Sequence, residues 1–278
     1  MSSVSYSVIA IILAAIPAIY YAIQLISHSR ETFLPESFGK KHAIETLKVI
    51  SSKVNKFYET LQPSFRLGDR NEVRIMAVPI ILILTTLTFF VGRLVNFSSF
   101  FTIVFSYIQY YVFWALFPIY INWQISRFFQ SPINTIKTEE DSLGLVRKAN
   151  SLVWEVENVA LAAVALVIII EAFLIASLGE MFDLGLVVAI IEIMSTIFTA
   201  STLIRKYKTA LEFELSKIYF LHLEKAVELS IIIAYASERT NEYSGMLVAL
   251  GDGIYLKRDD GFTQKIPWRI IVSLAARE

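Results

Sequence analysis

The sequence predicts a polytopic α-helical membrane protein, with five transmembrane helices followed by a small cytoplasmic all-β barrel at the C-terminus. Three observations carry that prediction. Hydrophobic residues make up 55% of the 278 and charged residues only 18%, against about 45–50% and about 25% in soluble domains. Mean hydropathy is +0.58, and several apolar stretches are long enough to cross a hydrocarbon core of about 30 Å. After residue 226 the apolar pattern changes from a helical to a strand-like period, broken by turns containing Gly and Asp.

Residues 1–27 carry no charge, and 6–27 form the first predicted span. The rival reading is a cleaved signal peptide. That needs a basic leading region and a shorter apolar run, and no Lys or Arg precedes Arg30. The second span is 75–92, closed by Arg93, and the third lies within 94–126. The polar cluster Asn96, Phe97, Ser98 and Ser99 turns the chain between them. The fourth span is 158–178 and the fifth 184–204, joined by the turn 179–183. Both turns are short, so two antiparallel helical hairpins follow. Ala14, Ala18 and Ala22 form a stripe of small residues suited to close helix packing. Pro17, Pro79 and Pro118 lie inside spans, which membrane helices tolerate.

Lys and Arg set the orientation. Segment 28–74, segment 126–157 and the region after 204 together hold 24 of the 25, which leaves only Arg93 for the opposite side. The expected protein is therefore a multi-pass protein of the cell membrane, with its N-terminus outside and its C-terminus in the cytoplasm. Trp123 and Trp154 fall near the inner boundary, where interfacial anchors belong. The expected organisation is a membrane domain over 1–204, with cytoplasmic helical loops at 28–74 and 126–157. A linking helix over 205–226 leads to the barrel over 227–278.

Within the cytoplasmic parts, 38–61 reads as one amphipathic helix. Ala43, Leu47, Ile50, Val54, Phe57 and Leu61 make a heptad stripe, and Pro63 ends it. The stripe suits packing on neighbouring helices, a coiled-coil contact between subunits, or a seat on anionic lipid. Thr138 followed by Glu139, Glu140 and Asp141 marks a helix start, and that helix runs on into the fourth span. Five short strands are expected at 229–235, 245–250, 254–257, 262–268 and 270–274, with a tight hairpin at Asp260 and Gly261.

These strands resemble the Sm-like small β-barrel. A helix precedes the first strand. Gly245 and Leu247 are followed by an Asp252 turn and Leu256, and Ile266 and Pro267 stand just before a terminal strand with Ile271 and Ser273. The resemblance covers about the last 52 residues and implies a tendency to assemble into rings. RNA-binding members of that family carry an Asn in the loop between strands two and three, where this chain has Gly251, Asp252 and Gly253. From residue 227 onward there are six basic and seven acidic residues. A neutral barrel without the Asn argues against direct nucleic-acid binding. The middle domain of small-conductance mechanosensitive channels is also similar to this barrel. The pore helix of those channels is dense in Gly and Ala, and neither the fourth nor the fifth span here is rich in Gly.

The chain has no Cys, which excludes disulfides, thiolate metal sites and a Cys nucleophile. His28, His42 and His222 lie in no metal-ligand spacing. No phosphate-binding Gly-rich loop, zinc-protease motif or nucleophile elbow occurs, so no catalytic residue, metal or cofactor is expected. The chemically loaded residues are Glu171 and Glu192, which interrupt the fourth and fifth spans. Each lies eight residues from the turn side of its span, a depth of roughly 12 Å at about 1.5 Å per residue. A hairpin puts both at one depth, where they would share a proton if they face each other. They are candidates for an ion or proton path; the alternative is a structural interhelical hydrogen bond. Tyr107, Tyr110, Tyr111 and Trp114 form a helical stripe on the third span with Gln109 beside it. Tyr107, Gln109 and Tyr111 are therefore candidates to line that path, against the alternative of plain helix packing.

The leading functional expectation is an oligomeric pore, channel or translocation subunit, a homo-oligomer in the lipid bilayer assembled through its barrel. A second expectation is a membrane scaffold whose barrel recruits a cytoplasmic protein. A third follows from the Cys-free, Ile- and Tyr-rich composition. It resembles that of thermophilic archaeal proteins, among which multi-span chains of this size serve in DNA import.

Overall fold

The computed structural model of the chain describes residues 40–65, 71–95, 99–130, 136–177, 182–234 and 240–277. The first expected span, with Ala14, Ala18 and Ala22, lies outside the described residues, as does most of both hairpin turns. The described chain is mostly helical. Six helices, α1 (Lys40–Ile50), α2 (Ser52–Phe65), α3 (Asn71–Leu94), α4 (Ser99–Gln130), α5 (Glu139–Ser177) and α6 (Phe182–Leu221), precede five strands.

Three helices are long and apolar enough to cross a membrane, within α4, α5 and α6. They correspond to the third, fourth and fifth expected spans. The described apolar part of α3, Ile81–Leu94, is shorter than a span. Large apolar side chains stand exposed along these helices, among them Leu82, Phe90, Ile108, Leu116, Leu166 and Ile190. On a protein in water, such a continuous apolar exterior would be a liability; in hydrocarbon it is the favourable surface.

The chain divides into two compact units. The first comprises 1–26, 67–123 and 155–205, and the second 27–66, 124–154 and 206–278. Helices α5 and α6, of 39 and 40 residues, each contribute to both. At about 1.5 Å per residue each is roughly 60 Å long, about twice a bilayer core. In the first unit α3 crosses α5 closely at Gly92. A Cβ there would stand 2.5 Å from the backbone oxygen of Phe173, so only Gly permits this approach.

The second unit is built around the heptad stripe. Ala43, Leu47, Val54, Phe57 and Leu61 are all buried, as are Leu143 and Val146 of α5 and Leu211, Leu215 and Tyr219 of α6. Phe57 stacks on Tyr219 at 5.4 Å between ring centroids. The stripe therefore serves as core of its own unit. Two expectations change here. The segment 38–61 is described from Lys40 as two helices divided at Ser51, whose Oγ accepts the Val54 N–H at 3.2 Å. Pro63 sits inside the last turn of α2, two residues before its end, and has no N–H to donate to the carbonyl four residues back. Thr138 and Asp141 cap α5 as its sequence predicts. Thr138 Oγ1 accepts the Asp141 N–H at 3.1 Å, and Asp141 Oδ2 accepts the Thr138 N–H at 3.1 Å. The segment 205–226 is the continuation of the fifth-span helix and ends at Leu221.

The strands are β1 (Glu228–Ala234), β2 (Thr240–Leu250), β3 (Gly253–Lys257), β4 (Thr263–Pro267) and β5 (Ile271–Arg277). All pairings are antiparallel, in the order β4-β3-β2-β1-β5. Leu229, Ile231 and Ile233 face the core, opposite Leu274 and Ile271 of β5, while Ile232 turns outward. The β3–β4 turn is the expected hairpin: Gly261 has φ 83°, and Asp260 Oδ1 accepts the Phe262 N–H at 3.0 Å. The expected closed barrel is not what the pairing shows. β4 and β5 form the two edges of an open sheet. Strand number follows from turns and period, whereas closure depends on twist and stagger between strands, which the apolar pattern does not encode. β2 also begins five residues before the expected 245. Its first half is polar and is held by pairing with β1, Ile233 opposite Asn241 and Ile231 opposite Tyr243.

Candidate intramembrane carboxyl site

The site lies in the first unit, where α4, α5 and α6 bring polar side chains together among apolar ones. Glu171 on α5 is 2% exposed and Glu192 on α6 is fully buried. Ser106 of α4 stands between them. Its Oγ is 2.9 Å from Glu171 Oε1 and 2.5 Å from Glu192 Oε2. Gln109 Nε2 donates to Glu171 Oε1 as well. The equal depth expected from the hairpin is thus seen in one hydroxyl that reaches both carboxyls.

The polar set extends along the helices. Toward one end, Thr102 Oγ1 of α4 lies 3.5 Å from Ser177 Oγ of α5, and both residues are buried. Toward the other, Ser195, Thr196 and Thr199 of α6 are fully buried. Thr196 Oγ1 donates to the Glu192 carbonyl at 2.8 Å, the usual resting bond of a helical threonine. Two buried oxygens here have no hydrogen-bond partner, Glu192 Oε1 and Thr199 Oγ1. Among the described residues, every hydrogen-bond partner of the two carboxyls is a hydroxyl or an amide, and no cation pairs with either.

The sequence singles out three of these residues and overlooks the rest. Glu171, Glu192 and Gln109 come together. Tyr111 does not join them; it is 46% exposed on α4. Two residues apart on a helix is about 200° around it, so Gln109 and Tyr111 cannot face one site. The side chain of Tyr107 lies outside the described residues. Ser106, Thr102 and Thr199 are the additions. Their signal is a polar stripe inside apolar helices: Glu192, Ser195, Thr196 and Thr199 at i, i+3, i+4 and i+7, and Thr102, Ser106 and Gln109 at i, i+4 and i+7.

The second unit handles its buried charge differently. Glu212 is 5% exposed, and Lys40 Nζ at 2.6 Å and Tyr58 OH at 2.8 Å both donate to it. Burial and the Glu212 charge hold the Tyr58 hydroxyl well above the usual tyrosine range, so it stays a donor. Glu139 accepts from Lys56 at 2.8 Å and Lys53 at 2.9 Å, and the Lys56 bond foremost draws its carboxyl below the ordinary value. On the sheet, Tyr255 donates to Asp252 at 2.7 Å, and burial followed by that bond pushes its hydroxyl up to about 12.

Among the described residues, no group of three or more His, Asp or Glu could hold a metal ion. Comparisons with protein-family models, with curated proteins and with solved structures return no match.

Proposed function

We propose that this chain is a multi-pass membrane protein that acts as an oligomeric pore or translocation subunit, with Glu171 and Glu192 as polar elements of its path. In this reading it spans the bilayer five times, with its N-terminus outside and its C-terminus in the cytoplasm. The C-terminal sheet, with its resemblance to the Sm-like barrel, gathers the subunits. One observation carries the reading: two buried carboxyls, with no counter-cation among the described residues, are bridged by one serine hydroxyl where three apolar helices pack. An acid inside a membrane helix costs about 2.5–3.5 kcal/mol at the bilayer centre on insertion scales, and two of them side by side cost more than a packing contact returns. A role in moving charge accounts for keeping both.

The test is ion flux by the full chain in liposomes. Glu192→Gln keeps the size of the side chain and removes the group that can take up and release a proton; it abolishes flux if the reading holds, and unchanged flux refutes it. A specific observation favours a second reading, a scaffold that recruits a cytoplasmic partner. The sheet keeps two unpaired edges, and Phe262, Met246, Ile232 and Val272 are exposed on it. A scaffold is silent in liposomes and unaffected by Glu192→Gln.

A further inference from the structure

We propose that the Glu171–Ser106–Glu192 cluster binds one exchangeable proton, and that the path leading from it runs along the α6 face carrying Thr199. This rests on the transport reading and narrows the transported or coupling species to the proton.

Hydrogen counting makes the case. A carboxylate only accepts hydrogen bonds, and a serine hydroxyl has one hydrogen to give. Ser106 Oγ nevertheless sits within bonding distance of both carboxyls, at 2.9 Å and 2.5 Å. Two carboxylates and one hydroxyl hold a single hydrogen for these two contacts. At least one carboxyl must carry a proton. Two full charges bridged by one hydroxyl, with no cation beside them among the described residues, would also be untenable away from water. The 2.5 Å contact is the length of an O–H···O bond to an acid group, whichever oxygen holds the hydrogen. In one arrangement Glu192 Oε2 carries the proton and donates to Ser106 Oγ, while the Ser106 proton donates to Glu171 Oε1. Moving both hydrogens one step along this chain leaves Glu192 as carboxylate, Ser106 neutral and Glu171 as the acid. Nothing else is needed for the balance.

A metal cation fits less well. It asks for several oxygens converging on one point at about 2.0–2.6 Å. Here the Gln109 amide donates to Glu171 Oε1, so an N–H fills the place a cation would take. The oxygens are already bound to one another.

The two unpartnered atoms give the path its direction. Glu192 Oε1 and Thr199 Oγ1 are buried without a donor or acceptor. Seven residues apart is two turns, about 10 Å along one face of α6, with Ser195 and Thr196, also fully buried, on that face between them. A buried orphan oxygen costs about 1–3 kcal/mol. Water reaching from one to the other would satisfy both and would relay a proton.

The experiment is carbodiimide labelling of the full chain in liposomes, with dicyclohexylcarbodiimide as the apolar probe that reacts with protonated carboxyls. Intact mass and fragment mapping should find one adduct per chain, on Glu171 or Glu192 and never on both. Glu171→Gln/Glu192→Gln should remove it. No adduct at either residue overturns the proposal. So does protection by Na⁺ that choline does not give, which marks a metal-cation site. An infrared band of a protonated carboxyl, present in the wild type and lost in the double variant, gives the same answer without relying on reagent access. Labelling and flux separate the two claims. An adduct without flux leaves the proton site standing and removes the transport reading. Flux without an adduct does the reverse. Thr199→Val should slow proton flux, and unaltered flux in that variant removes Thr199 from the path.

Discussion

The two units bury acidic groups in opposite ways. In the second unit Glu212 has two donors, one of them a lysine, and Glu139 bridges two lysines. In the first unit Glu171 and Glu192 share a serine, Glu171 has a glutamine as well, and one carboxyl oxygen of Glu192 is left over. The difference lies between groups placed for stability and groups held in spite of it. A buried acid with a full set of donors repays its desolvation; an acid facing another acid does not.

The sharpest break of that comparison is to remove the acids of the first unit altogether. Glu171→Met/Glu192→Leu replaces both with apolar side chains of similar size. Swapping buried charged pairs for packed hydrophobics is often stabilising, by about 1–4 kcal/mol. The double variant should therefore unfold later than the wild type in a detergent thermal melt while losing flux completely. A destabilised double variant would show that the pair is structural and would take away the main support for a path.

The matching change in the second unit should move the other way. Glu212→Leu leaves the buried Tyr58 hydroxyl without its acceptor, which costs about 1–3 kcal/mol. Tyr58→Phe/Glu212→Leu removes donor and acceptor together, so it should recover part of the loss. The lysine contributes less, since Lys40 has a side chain 36% exposed and regains water when its partner goes. Thermal melts of the two variants against the wild type give both numbers. If the double variant melts no higher than the single, the bond from Tyr58 is not what Glu212 supplies.

Much of this contrast can be read from the sequence, and the exceptions have physical causes. The long apolar helices, the strand positions and the cap at Thr138 follow from local period and turn chemistry. Equal depth of Glu171 and Glu192 follows from counting residues on either side of one turn. The bridge by Ser106 does not, because no local pattern says which face of a third helix meets a hairpin. Tyr111 misleads for the same reason: an aromatic stripe looks alike whether it meets lipid or lines a site. Sheet closure is illegible because it is set by twist. The single break at Ser51 is hidden by an apolar stripe that continues across it.

The smallest effect sharpens the comparison most gently. Glu139 joins α2 to the start of α5 through Lys53 and Lys56, whose side chains are 31% and 48% exposed. Pairs this wet are screened, and the bridge should be worth about 0.5–1 kcal/mol. Its sign with pH is fixed. The folded-state value of Glu139 lies below the ordinary 4.5, so the folded protein binds this proton less readily than the unfolded chain. The contribution is complete at neutral pH, begins to fade as pH falls past 4.5 and is gone once pH drops below the folded value. Glu139→Gln should therefore lower the melting temperature slightly at pH 7, and the gap to wild type should close in acid. High salt should close it too, since exposed charges are screened over about 3 Å at 1 M. The Glu171–Glu192 pair, buried where salt does not reach it, should show no such salt dependence in the same melts. A Glu139→Gln gap that persists in both acid and high salt would mean that the side chain acts there through packing, and that its charge contributes little.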